Sequence, residues 1–270
     1  MKDFSAMRSV ATIIPTSSGE AMPIPVSDGT AEEGEIVAQN GDPADADPTF
    51  AQVDWSAYAY SSKVVTAPEQ LLQDSVFDMQ AFIFDRVSER LGRITNKHYT
   101  IGTGSSQPLG IVAASAAGRV GASGQTATIL YNDLVDLSES VDVAYLRNGV
   151  GKFMMSQTMR AVIRKLKDDQ NLPIFLPGYQ LAAGVATDTL MGYELVINNS
   201  MATPAASAKT VIFGDFKKYY IRDVVNSLRM NRYDDSAYAK KYQVGFQGWM
   251  RTGGTLSDTA SVKHYVHAAS

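Results

Sequence analysis

The sequence predicts an α+β chain organised around one long helix, with an extended two-stranded arm in its N-terminal quarter. Three observations carry this. Apolar residues recur at helical spacing over residues 75–99. Short apolar runs of strand type follow at 152–155, 190–197, 210–216, 219–223 and 237–248. Residues 27–48 are so dense in Gly, Asp and Pro that no packed core can form there. The 270 residues are 45% hydrophobic and 19% charged, an ordinary globular balance that excludes collagen-like and wholly disordered classes. No apolar run reaches the ~18–20 residues of a membrane-spanning helix, and MKDFSAMRSV has no apolar core of signal-peptide type. The chain has no cysteine, which excludes disulfide frameworks, thiolate metal sites and thiol catalysis together.

Charge is distributed unevenly. The net charge is −4, yet no basic residue occurs between Arg8 and Lys63. That stretch holds nine acidic residues, among them Glu32, Glu33, Glu35, Asp45 and Asp47, so the remainder of the chain is mildly basic. A long segment of one sign on a body of the other points to a protein contact rather than to a catalytic pocket. The alternative is an acidic loop that is merely solvated.

Residues 9–65 read as extended structure. Pro23 and Pro25 cannot sit inside a helix or a central strand. Ser27-Asp28-Gly29-Thr30 and Asn40-Gly41-Asp42-Pro43 are turn signals, and Phe50 to Tyr60 alternates as a strand does. Together they predict a long, protruding hairpin. In the helix, Ser75 is the expected N-cap with Asp78 completing a capping box. Phe84, Val87, Leu91, Ile94 and His98 form its apolar stripe, and Arg86, Arg90, Arg93 and Lys97 run beside it, roughly 100° around. Such a stripe is ordinarily a solvated face; here it competes with a docking role for the acidic arm.

The loop Ile101 to Ile111, with Gly102, Gly104, Pro108 and Gly110, follows the helix. A phosphate loop needs Gly-Lys-Ser/Thr and must precede a helix, so this loop reads as a structural turn. Residues 112–126 are small and polar and read as a linker. Asn132 or Asp133 is then the expected cap of a helix with Leu134, Leu137, Val141 and Ala144 on one face. Ser156 caps another, with Met159, Ile163 and Leu166 inward and Arg160, Arg164 and Lys167 outward.

No catalytic constellation is visible. His98 lies on the apolar stripe of the long helix, and His264 and His267 share a face only in a helical tail without a nearby carboxylate. No Gly-x-Ser-x-Gly elbow occurs. Asp168-Asp169 and Asp234-Asp235 fall at expected turns. The reading is therefore a non-enzyme without cofactor or metal.

Phe84-Asp85-Arg86-Val87 through Asn96-Lys97-His98-Tyr99, followed by Gly102-Thr103-Gly104 and Gln107-Pro108-Leu109-Gly110-Ile111, resembles the major capsid proteins of tailed double-stranded DNA bacteriophages, the Hong Kong 97 type. The likeness continues at Thr189 to Val196, at Phe213-Gly214-Asp215-Phe216-Lys217-Lys218-Tyr219, and at Gln243-Val244-Gly245-Phe246 with Arg251, Gly253, Asp258 and Ala260. It covers roughly residues 20–265, with the blocks in the family's order.

The resemblance implies an arm at 1–16, an extended hairpin at 17–62, and a peripheral domain at 63–120 carrying a spine helix at about 75–99. An axial domain at 121–219, return strands at 220–252 and a C-terminal segment at 253–270 complete it. It implies self-assembly through hexamers and pentamers into an icosahedral virion shell. The shell forms in the host cytoplasm around packaged double-stranded DNA that is held by weak, non-specific contact. Scaffold, portal and decoration proteins are implied partners; a membrane is not. Some members weld the shell with a lysine on the arm, and no lysine occurs between Lys2 and Lys63. Family chains often begin with a long scaffolding segment; none precedes Ile13, which implies that it is removed or is a separate protein. The alternatives are an encapsulin-like compartment of the same fold and, remotely, a soluble phosphate-binding enzyme using residues 102–110.

Overall fold

The computed structural model describes residues 5–27, 36–37, 39, 50–75, 78–147, 150–167, 170–171 and 189–270. The N-terminal part contributes α1 (Ala6–Val10), β1 (Thr12–Thr16), β2 (Met22–Ser27), β3 (Phe50–Trp55), β4 (Tyr58–Ser61), β5 (Val65–Pro68) and α2 (Glu69–Asp74). The long helix α3 (Met79–Ile101), α4 (Ile111–Ala114), β6 (Ala116–Val120), α5 (Tyr131–Glu139) and α6 (Val143–Leu146) follow. Then come β7 (Lys152–Met155), α7 (Gln157–Arg164), β8 (Thr189–Leu190), β9 (Tyr193–Ile197) and β10 (Lys209–Gly214). The chain closes with β11 (Tyr219–Val224), β12 (Arg229–Tyr233), α8 (Ser236–Ala239), β13 (Gln243–Leu256) and β14 (Val262–Val266).

Two sheets of six strands and a separate hairpin organise these elements. The first sheet is built on β13, whose 14 residues pair with β11 and β12 along one edge and with β4 and β5 along the other. Strand β1 adds in parallel outside β11. Helix α3 lies on this sheet, packing Ile83, Val87 and Leu91 against Val244, Phe246 and Met250. At 23 residues it is roughly 35 Å long, enough to reach a second core. There Tyr99 packs among Ile111, Met154, Ile212, Tyr219 and Val262.

The second sheet runs in the order β6-β14-β10-β7-β9-β8. It is covered on both faces, which is why its central strands read as unbroken apolar runs. Phe153, Met155, Val211 and Phe213 face α5 and α7, while Met154 and Ile212 face Tyr99.

Several local expectations are corrected. Helix α3 starts at Met79, capped by the Asp78 carboxylate, which accepts from the Ala81 N–H at 3.0 Å; Ser75 instead ends α2, whose six residues were not expected to be helical. Its buried stripe runs through Ile83, Val87, Leu91, Thr95 and Tyr99, leaving Phe84 exposed and His98 half-buried. The expected linker 112–126 holds α4 and β6, because small Ala116 and Ala117 fit beside β14 as a parallel edge strand. Helix α5 ends at Glu139, before Val141 and Ala144. Leu130 is its N-cap, and the Asp133 carboxylate accepts the Leu130 N–H at 3.0 Å.

Helix α7 stops at Arg164, short of Leu166 and Lys167, with the Ser156 hydroxyl accepting from the Met159 N–H. Leu190–Ile197 is a tight hairpin rather than one strand, since Met191 and Gly192 both adopt positive φ (54° and 85°). The last long strand begins at Gln243, not Ala237: the Asp235 carboxylate accepts from the Ala237 N–H and nucleates α8. His264 stands in strand β14 and His267 just beyond it, so the C-terminal histidines are on extended backbone.

Candidate assembly surfaces

The cationic ridge expected on the long helix is present on α3, with Arg86, Arg90, Arg93 and Lys97 all exposed. Its electrostatics are less simple than a row of free charges. Glu89 pairs with Arg86 at 3.2 Å and also with Arg93, the i,i+3 and i,i+4 partners one helical turn either way. Arg86 also lies over the Phe82 ring, 5.2 Å from its centre. Two open grooves lie along the ridge, and Arg93 lines both. One, of about 340 Å³, is bounded by Val65, Phe82, Ile83, Arg86, Glu89 and Arg90. The other, of about 600 Å³, is bounded by Arg93, Asn96, Lys97 and the Asn198–Ser200 turn. Half-exposed Phe82 gives the first an apolar floor beside its cations.

Glu32, Glu33, Glu35, Asp45 and Asp47 lie outside the described residues. The base of their segment is an antiparallel hairpin, in which β2 and β3 pair from Met22 opposite Trp55 to Ser27 opposite Phe50. The returning chain crosses the first sheet at Gly253, where the Ser56 carbonyl oxygen sits 2.0 Å from where a Cβ would stand. Trp55 is buried in its own subunit, its ring centre 6.2 Å from that of Tyr220.

Between the helix and the arm lies a buried polar network that sequence reasoning missed. Arg8 donates to both oxygens of Asp223, at 2.6 and 2.8 Å. Burial opposes the Arg8 charge, but the bonds to Asp223 overcome it and hold its pKa above the usual value. Asp223 also accepts from the Thr252 hydroxyl at 2.8 Å, and Thr252 lies 2.5 Å from the Tyr99 hydroxyl. Burial pushes Tyr99 up to about 12, so it stays a neutral phenol. Nearby, Asn96 donates to Asn198 and Ser200 and accepts from the Met7 N–H, tying α3 to α1 and to the second sheet. The signal for this was available: Thr95, Asn96 and Thr100 recur on the buried side of α3.

The glycine loop closes on itself. The Gly102 N–H donates to His98 O and the Gly110 N–H to Gly102 O, each at 2.9 Å, with Thr103 bridged to Leu109. A Cβ on Gly102 would stand 2.2 Å from the Pro108 carbonyl oxygen, and Gly104 has φ 81°. The backbone N–H groups of Gly102 and Gly110 are thus spent inside the turn, which leaves them unable to cradle a phosphate.

His264 and His267 are interior groups, and His98 is half-buried. His98 Nδ1 lies 2.9 Å from the Tyr60 hydroxyl, and burial and then Lys97 lower its pKa. His264 Nδ1 lies 2.9 Å from Ser115, and burial, with Lys209 adding to it, pushes it down to about 4. That serine–histidine pair is buried on both sides, so no substrate can reach it. His267 Nε2 lies 2.9 Å from the Thr210 hydroxyl. Asp235 is spent on its cap, and Asp168-Asp169 fall outside the described residues. Among the described residues no three His, Asp or Glu side chains converge as metal ligands.

The whole architecture has known relatives. The profile of the Phage capsid family matches residues 1–267. This chain belongs to the phage capsid family. A capsid from a native GTA particle superposes with a TM-score of 0.82 at 24% identity, covering 98% of this chain and 90% of that one. A chain of Microbacterium phage Oxtober96 gives 0.71 at 18% identity, with coverages of 97% and 91%. One of Mycobacterium phage Bobi gives 0.71 at 14%, with 98% and 91%. No curated protein matches in sequence. As a member of the phage capsid family, the protein is a structural subunit of a phage-like particle shell, a class whose members assemble with copies of themselves. The ridge, the grooves and the arm base are therefore surfaces of a shell subunit, and the Ser115–His264 pair is part of its packing.

Proposed function

We propose that this capsid protein assembles through hexamers and pentamers into an icosahedral virion shell around packaged double-stranded DNA, in the host cytoplasm, with scaffold, portal and decoration proteins as further partners. The family match over residues 1–267 is the observation that carries this reading. In it, the first sheet with α3 is the peripheral domain, and the second sheet with α5 and α7 is the axial domain around the capsomer axis. Contact with DNA is weak and non-specific, in keeping with the net charge of −4.

The acidic arm, with Glu32, Glu33, Glu35, Asp45 and Asp47, docks across a neighbour's α3 near Arg86, Arg90, Arg93 and Lys97. Exposed ion pairs contribute only ~0.2–1 kcal/mol each, and Glu89 already engages Arg86 and Arg93. Arg90 and Lys97 then carry the larger share of the attraction. Charge mainly sets register, since an arm of one sign repels another arm and seeks a basic ridge.

Electron microscopy of the purified chain, with nuclease-protection analysis of particles made in cells, tests the reading. Icosahedral particles holding nuclease-resistant duplex DNA are expected. Protein cargo in place of DNA would overturn the DNA-packaging half, and a persistent monomer under all assembly conditions would overturn the whole. Changing Arg90 and Lys97 to Glu should abolish assembly at low salt while the subunit keeps its melting temperature; unchanged assembly would reject charge-guided docking.

A further inference from the structure

Arg222 is among the largest fully buried side chains of the protein, 1% exposed, and among the described residues no carboxylate bonds to it. It sits in β11 opposite Ile14 of β1 and Gly253 of β13. Its neighbour Asp223 points away and is taken by Arg8 and Thr252. The guanidinium donates instead to three backbone carbonyls and one hydroxyl. These are Ser18 O at 2.8 Å, Glu20 O at 2.5 Å, Trp55 O at 2.7 Å and Thr16 Oγ1 at 3.0 Å. The cation also lies 5.9 Å from the centre of the Trp55 ring.

Those acceptors are not scattered. Ser18 and Glu20 lie in the short link from β1 to the outgoing strand β2, Trp55 ends the strand β3 returning from the hairpin, and Thr16 ends β1. One side chain therefore holds both feet of the arm. We propose that Arg222 is the clasp that sets the direction in which the β2–β3 arm leaves the body of the subunit.

The physical basis is that a buried cation tolerates only an arrangement that keeps its N–H groups satisfied. Swinging the arm about its base would withdraw Glu20 O or Trp55 O and strand the charge. Arg251 sharpens this: its guanidinium lies against Gly19 and its like charge opposes that of Arg222. Carbonyl dipoles from both feet are thus what keeps Arg222 in place. Lysine cannot substitute, since three donors on a point charge cannot span a planar fan of four acceptors. Why a shell subunit would need a fixed take-off angle rests on the assembly reading above; the clasp itself is a property of the single chain and is tested there.

The test is hydrogen exchange on the full-length chain, kept unassembled, comparing wild type with Arg222→Lys. The expected result is at least tenfold faster exchange at both feet, residues 20–27 and 50–57, with β7 and β10 unchanged. Wild-type exchange at the feet, or a rise spread equally over both sheets, would overturn the proposal. If Arg222→Lys does not fold, Thr16→Val removes one acceptor while keeping the side-chain shape. It should speed exchange at the same feet by about threefold, and no change there would overturn the clasp equally. Particle formation is scored separately, so loss of assembly with unchanged feet counts against the clasp and not against the shell.

Discussion

Around β10 the chain buries Phe153, Met155, Val211 and Phe213 against Leu134, Leu137, Met159 and Ile163, and His264 and His267, buried in and just beyond β14 of the same sheet, sit within hydrogen-bond distance of the Ser115 and Thr210 hydroxyls. Around the base of the arm it encloses two arginines, a largely buried Arg8 bound to Asp223 and a fully buried Arg222 bound to three carbonyls and the Thr16 hydroxyl. The first region is stabilised by apolar area and packing, which are non-directional. The second is fixed by bonds that work only in one geometry. A rigid body tolerates the first kind of core; an arm held in one direction relative to its body needs the second. The contrast explains why the arm base is polar although it is buried.

Three perturbations probe this contrast, in decreasing order of effect. Phe213→Ala should cost about 3–5 kcal/mol, because Phe213 is fully buried with its ring centre 4.5 Å from that of Phe153. Denaturant unfolding would measure it, and a loss below about 1 kcal/mol would mean the second sheet is not the packed core described.

Asp223→Ala should cost about 3 kcal/mol by leaving Arg8 buried without its partner, near the lower bound for a broken buried pair because Asp223 keeps 30% side-chain exposure. The same unfolding experiment checks it. Arg8→Met with Asp223→Leu should then recover much of the loss, since an apolar pair removes the stranded charge.

The third perturbation is pH. His264 is held down to about 4 by burial, with Lys209 and then Lys263 disfavouring its charge and Ser115 its hydrogen-bond partner. The native state keeps it neutral, whereas the unfolded chain binds a proton near 6.5. Its contribution is therefore complete above pH 6.5, is lost as pH falls towards 4, and levels off below that. The loss should reach about 2–3 kcal/mol across that window. Melting curves of wild type and His264→Asn between pH 4 and 7 would show it as a steeper decline in the wild type; parallel curves would show that His264 is not the titrating group.

Part of this architecture was legible before any coordinates. The spacing of Val87 and Leu91, the cationic series from Arg86 to Lys97, and the apolar runs of β7 and β10 each announce an element, because periodicity is a property of residues close in sequence. The pairing of Glu89 with Arg86 and Arg93 was equally local and could have been read from i,i+3 and i,i+4 spacing. Competing local signals explain the boundary errors: Asp78 outcompetes Ser75 as a cap, and positive φ at Met191 turns an apparent strand into a hairpin.

The clasp is of another kind. Composition places an arginine at the surface, and nothing within several residues of Arg222 predicts otherwise. Its four acceptors come from residues 16–20 and 55, more than 160 positions away in sequence. Local chemistry determines which segments become helix or strand. Whether a charged side chain is buried, and which direction an arm takes, depends on groups that meet only when distant segments pack, since the cost of desolvating a cation is offset by neighbours the chain supplies through its fold.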